Sequence, residues 1–253
     1  MMVRTSVLNK IPLLIPQEDH AKAPEFNFSL KEQEWISMIK KCNNMKELKQ
    51  VHGQILKLGF ICSSFCAGNL LSTCALSEWG SMDYACSIFG EISDPGSFEY
   101  NTVIRGHVKD MNLEEAILWY IHMIEDGVEP GNFSYPALLK VCARFRALKQ
   151  GKQIHGQIFK FGHEDDVFVQ NSLINMYGKC GEIKESCTVF EQMDQRTIAS
   201  WSALIAAHAN LGLWSDCLKV FGEMKSEGCW RAEESTLFKD VNNISNFLQS
   251  HPK

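Results

Sequence analysis

The segment LEEAILWYIHMIED, residues 113–126, places Leu113, Ala116, Ile117, Tyr120 and Ile124 three or four residues apart. That spacing lines one face of an α-helix. Gly127 follows where a left-handed residue closes a helix, and Pro130 then acts as a stop. The preceding FEYNTVIRGHVKD, residues 98–110, predicts a first helix, so residues 97–131 read as a helical hairpin. Gly59, Gly162 and Gly228 hold the place of Gly127 at other points of the chain. Alternating polar and apolar positions are absent, and turn signals fall roughly every 15 residues, too far apart for successive strands.

The hairpin recurs. QVHGQILKLG at 50–59 returns as QIHGQIFKFG at 153–162, an offset of 103 residues, or about three units of a mid-thirties period. IFGEI at 88–92 matches VFEQM at 189–193 and VFGEM at 220–224, while NTVIRGH (101–107), NSLINMY (171–177) and SALIAAH (202–208) share a second pattern. Units fall at 32–63, 64–96, 97–131, 132–166, 167–197 and 198–232. A hairpin of this size cannot bury both apolar faces alone, so neighbours must stack into one continuous core. The expected fold is all-α, a right-handed α-solenoid.

Composition adds exclusions. With 253 residues, 45% hydrophobic and 22% charged, the chain is neither disordered nor a membrane bundle. The uncharged stretches 58–77 and 197–215 are too rich in Ser, Thr, Asn and His for membrane spans. A net charge of -5 does not advertise a nucleic-acid binder. Ten cysteines are too few for a disulfide scaffold in so long a chain, and most, including Cys142, Cys187 and Cys217, sit in apolar helical patterns as small hydrophobes. Residues 1–31 carry Arg4 and Lys10 with no acid before Glu18, which fits an organelle transit peptide or an unstructured leader equally. Trp35, Trp119, Trp201 and Trp214 fall within helical periods and are assigned to packing.

The phrases YNTVIRGHVKDMNLEEAILWYIHMIEDGVEP, GKQIHGQIFKFG, DVFVQNSLINMYGKCGEIKESCTVFEQM and SWSALIAAHANLGLWSDCLKVFGEM resemble pentatricopeptide repeats, in particular the plant PLS subclass. Unit lengths of 35, 35, 31 and 35 from residue 97 to 232 repeat that subclass's order, and the resemblance covers residues 32–232. It implies binding of single-stranded organellar RNA, in a mitochondrion or alternatively a chloroplast, one base per unit. In the family the readers are the fifth and last residues of a unit. These are Asn101 with Gly131, Asn171 with Thr197, and Ser202 with Ala232, implying a pyrimidine at the two asparagine units and a purine at Ser202. Gly131 and Thr197 stand where the family usually has an acid or amide, and Trp230-Arg231 replaces the usual proline approach to Ala232. The other units present Ile36, Gly68 and Pro136 at the fifth place.

Lys140, Arg144, Arg146, Lys149 and Lys152 form the densest basic cluster, suited to RNA phosphates or to a solvated helix face. The repeat region holds 19 basic and 24 acidic residues, so any RNA binding should be modest and salt-sensitive. No constellation for catalysis is visible. Full-length members of the subclass often end in a deaminase-like domain, but no His-x-Glu and no Pro-Cys-x-x-Cys occurs here. Editing factors or a deaminase would have to act in trans, and neither DNA nor a membrane is expected as a partner. Cys42 with His52 and Cys142 with His155 recur, yet lack the short-spaced pairs of a structural zinc site, so neither metal nor cofactor is expected. Residues 233–253 break the repeat pattern and read as a divergent, truncated tail of a longer protein. The second functional reading is a helical scaffold for protein partners.

Overall fold

A computed structural model describes residues 25–229, with side chains from Leu30 onward. Most of the expected leader, together with Ala232 and the expected tail at 233–253, lies outside the described residues. The described residues form α1 (Glu25–Lys41), α2 (Met45–Lys57), α3 (Ser64–Leu76), α4 (Met82–Glu91), α5 (Ser97–Lys109), α6 (Leu113–Glu125), α7 (Ser134–Phe145), α8 (Leu148–Lys160), α9 (Val167–Cys180), α10 (Ile183–Glu191), α11 (Ile198–Asn210) and α12 (Trp214–Ser226). A short 3-10 turn at Phe60–Cys62 joins α2 to α3, and no strand occurs among the described residues.

Local chemistry sets the helix ends. Asn44, Ser63, Ser81, Asn112, Asp166 and Thr197 each accept a backbone N–H from the first turn of the helix they precede. Such caps contribute about 1 kcal/mol each. Gly59, Gly127, Gly162 and Gly228 take φ between 70° and 77°, the left-handed closure expected of them, whereas most other residue types are strained in that region.

The odd-numbered helices pack directly on one another in series, α1 on α3, α3 on α5, and so on to α11. Each even-numbered helix from α2 to α10 packs against its own partner and the next odd helix, and α12 packs against α11. Successive first helices are therefore the closer-spaced layer, which puts them on the short, concave side of an α-solenoid. Two consecutive aliphatic residues in each first helix from α3 to α11 are buried: Leu70 and Leu71, Val103 and Ile104, Leu138 and Leu139, Leu173 and Ile174, Leu204 and Ile205. A first helix is covered by neighbours on both sides and by its second helix, so a wide arc of it must be apolar. Burial of each such side chain is worth roughly 1.5–3 kcal/mol.

The cysteine and histidine recurrence has a packing explanation. His52 on α2 holds the Tyr84 hydroxyl at 2.8 Å and Glu91 at 2.8 Å, and His155 on α8 holds the Tyr177 hydroxyl at 2.8 Å. Each thus ties a second helix to a tyrosine of a neighbouring helix. The Cys42 thiol donates to the Met38 carbonyl at 3.4 Å, and no three His, Cys, Asp or Glu side chains among the described residues converge on a metal position. All ten cysteines are unpaired thiols. Trp201 is buried, and Trp35, Trp119 and Trp214 pack against the core, as their helical periods imply. No helix among the described residues is long and apolar enough to cross a membrane.

Burial pushes the imidazoles of His107 and His155 below their ordinary pKa. The unfolded chain therefore binds more protons at these sites than the native one, and stability rises with pH. Their contribution is complete above the unfolded value of about 6.5 and is lost as pH falls below it. Thermal melts should show a lower midpoint at pH 5 than at pH 7.5, and the variant His107→Gln/His155→Gln should show a smaller difference. An equal pH difference in both proteins would assign the effect elsewhere.

Candidate nucleic-acid interface

Four successive first helices each present an exposed phenylalanine at their start, within the first turn of α3, α5 and α9 and at the residue preceding α7. Phe65, Phe98, Phe133 and Phe168 are 69%, 56%, 70% and 60% accessible, values that place the rings outside the core. They follow one another at 33, 35 and 35 residues, one per helical pair. Three residues further along each helix, on the same face, lie Gly68, Asn101, Pro136 and Asn171. The Phe98 ring rests over Gly68, where an added Cβ would meet it at 3.0 Å. An aromatic ring of one helix thus closes over the fifth-place residue of the helix before it.

Asn101 and Asn171 are half-buried, and the side-chain carbonyl of each finds no hydrogen-bond partner among the described residues. An acceptor shielded from water and left without a donor is a costly arrangement that a ligand donor would relieve. Ser202 differs. Its hydroxyl donates to the Ile198 carbonyl at 2.6 Å, within its own helix.

The closing residues serve the start of the next helix. Thr197 accepts the Ser200 N–H at 3.3 Å and caps α11. Asp166 caps α9 through the N–H groups of Phe168 and Val169, and also accepts from the Asn132 amide at 3.1 Å. Gly131 forms the turn into α7, its N–H reaching the Ser134 hydroxyl at 3.2 Å.

Acids are scarce in the first helices from α3 to α11, although α1 carries Glu25, Glu32 and Glu34. Helices α3, α7, α9 and α11 contain no Asp or Glu, and in α5 the one acid, Glu99, is buried and accepts the Gly96 N–H at 2.9 Å. The same helices carry Arg105, Lys109, Lys140, Arg144 and Lys179. Arg105 and Lys140 each lie one turn beyond the fifth place, exposed and without an ion pair among the described residues. Phe133, Pro136, Lys140 and Arg144 thus form a stripe along α7, and Phe98, Asn101 and Arg105 its counterpart along α5. The remainder of the predicted basic cluster is placed differently. Arg146 sits in the left-handed residue after α7, and Lys149 and Lys152 are exposed on α8, where Lys152 faces Glu185 at 3.5 Å.

A pentatricopeptide repeat family model matches residues 95–144, and the pentatricopeptide repeat model itself matches residues 171–198 and 199–229. A pentatricopeptide repeat-containing protein of Arabidopsis thaliana is 50% identical over 237 residues, covering 92% of this chain and 39% of the relative. The chain belongs to the pentatricopeptide repeat family. Two further Arabidopsis pentatricopeptide repeat proteins, one named as mitochondrial and one as chloroplastic, are 34% and 33% identical over 83% and 76% of the chain. The chain spans 31% and 32% of those relatives, well under half of each of these three Arabidopsis proteins. Among solved structures, maize pentatricopeptide repeat protein PPR10 in complex with an 18-nt psaJ RNA element superposes with a TM-score of 0.61 at 16% identity, over 90% of this chain and 37% of that one. At that identity the likeness concerns the solenoid fold.

Within this pentatricopeptide array the residues missed by sequence reasoning are the four phenylalanines and Arg105. Their signal was present as the second residue of SFCAG, SFEYN, NFSYP and VFVQN. A phenylalanine beside an apolar run reads as core until the neighbouring helices are in place.

Proposed function

We propose that the first-helix face of this array binds single-stranded RNA of an organelle, with one base lodged between successive phenylalanines and its edge against the fifth-place residue. The ladder of exposed rings on first helices that, from α3 to α11, expose no acid carries the reading. Bases stack on aromatic rings whatever their identity, which supplies affinity, while Asn101 and Asn171 offer unspent acceptors and amide donors to a base edge. Arg105, Lys140 and Arg144 lie where the phosphates of such a strand would pass, so local charge overrides the net -5. In this reading each helical pair from residue 32 to 232 is one unit. Asn101 with Gly131 and Asn171 with Thr197 meet pyrimidines, and Ser202 with Ala232 meets a purine. Thr197 would read a base only alongside its capping duty. The mitochondrion is the favoured compartment and the plastid the alternative, both appearing in the names of relatives. The role is to select a site for RNA processing or C-to-U editing, with the chemistry supplied by another domain or in trans.

The test is retention of a randomised single-stranded RNA pool by the purified chain at two salt concentrations. Enrichment of a short motif is expected, strongest at low salt. Asn101→Asp and Asn171→Asp should each change the preferred base at one position and leave the others alone. Unchanged preference in both folded variants would remove these residues from the reader, and no enrichment at either salt would remove the RNA reading.

A further inference from the structure

Residues 88–126 and 189–227 are related by an offset of 101, and the relation exposes a difference in packing. Phe89 and Tyr100 meet edge to face at 4.8 Å and 71°, and their counterparts Phe190 and Trp201 do so at 4.6 Å and 70°. His107 and His208 occupy matching places one helical step on. In the earlier copy Trp119 completes the cluster, 4.8 Å from Phe89 and stacked on His107 at 6.4 Å and 24°. In the later copy that position is Val220.

Where the earlier copy holds Trp119, the later one has a cavity of about 440 Å³ between α10 and α12, with α11 beneath it and the Arg196 guanidinium 4.7 Å from the Phe190 ring centroid. Phe190, Trp201, Leu204, His208 and Val220 line it. Trp201 is 1% accessible, and its indole N–H has no acceptor among the described residues, so the wall contains an unspent buried donor. The rim is acidic: Glu191, Asp216, Glu223 and Glu227 against Arg196 and Lys219. Arg196 is engaged with Glu227 at 3.3 Å and Lys219 with Asp216 at 3.1 Å. Glu191 and Glu223 have no ion pair among the described residues.

We propose that this cavity, on the second-helix side of the array, receives an aromatic side chain presented by a basic segment of a partner protein, in the place that Trp119 fills within the chain. The ring would stack on His208 and meet Phe190 on its edge, and a carbonyl beside it would accept from Trp201. Basic flanks would answer Glu191 and Glu223. A buried aromatic anchor within a polar rim is the arrangement that dominates many protein interfaces. Because the site lies on the opposite layer from the phenylalanine ladder, a partner and RNA can bind together.

The test uses an N-acetylated pentapeptide amide, Lys-Lys-Trp-Lys-Lys with fluorotryptophan, followed by fluorine NMR on the full chain. Saturable binding is expected, weakened about 30-fold or more in Val220→Trp, which rebuilds the earlier plug. Trp201→Phe and Glu223→Lys should each weaken it without altering the helical content, and they serve if Val220→Trp fails to fold. Phe98→Ala and added single-stranded RNA should leave it unchanged, so failure of the RNA reading would show separately. No binding to the wild type, or equal binding by the folded Val220→Trp protein, overturns the proposal. So does a wild type that is silent while Trp230→Ala binds, since the occupant would then be the chain's own residue.

Discussion

Gly178→Val should disrupt the packing of α11 and α12 on the rest of the array. A Cβ at Gly178 would lie 2.4 Å from the Ala207 Cβ and 2.8 Å from the Ala207 Cα, so the obstacle includes backbone and cannot rotate away. Helix α11 would have to move off α9, opening the interface that buries Leu173, Ile174, Leu204 and Ile205. Overpacking usually costs about 1–3 kcal/mol, and a backbone collision belongs at or above the top of that range. In a linear array each pair is held by its neighbours, so the loss should be local. Limited proteolysis should cut within residues 198–229 while residues 45–160 stay protected, and urea unfolding should begin earlier and broaden. Ala207→Gly in a Gly178→Ala background should recover part of the stability by removing the 2.4 Å contact. An unchanged urea midpoint for Gly178→Val would show that α9 and α11 do not touch as described.

The second large effect concerns affinity. Phe98→Ala and Phe133→Ala remove rings that are 56% and 70% accessible, so folding stability should change little. If each ring stacks a base, each truncation should weaken RNA binding by about 1–3 kcal/mol, or 5- to 150-fold, and the double variant should lose most sequence-independent affinity. Fluorescence anisotropy with an RNA recovered from the enriched pool measures this. Lys140→Ala should act differently, lowering affinity for all sequences alike and reducing the salt slope by about one. Unaltered affinity in the phenylalanine double variant would transfer binding to another face.

These two predictions draw on different parts of the sequence. The hairpin framework was legible from local residues. Apolar positions three and four apart specify one helical face, left-handed glycines and side-chain caps mark the ends, and QVHGQILKLG with QIHGQIFKFG shows the repetition. These features act within a single helix or turn, so the sequence records them directly. Asn101 and Asn171 were marked as readers by resemblance alone, because an asparagine near a helix start is otherwise an ordinary polar residue.

Stacking decided the rest. Whether a phenylalanine is core or surface depends on which neighbouring helix covers it, and only the packed layers leave Phe65, Phe98, Phe133 and Phe168 uncovered. A net charge of -5 argued for weak RNA binding, but a sum over the chain carries no information about sides. The folded layers put Arg105, Lys140 and Arg144 on the inner helices and leave most acids to the second helices and turns. The cavity at Val220 follows the same logic. Exchange of tryptophan for valine between two copies is an unremarkable apolar substitution in the sequence, and it becomes an opening only because Phe190, Trp201 and His208 keep the positions that Phe89, Tyr100 and His107 hold around Trp119. Periodicity and caps belong to one helix and are written in its residues; exposure, charge segregation and vacancy arise between helices and exist only once the array is stacked.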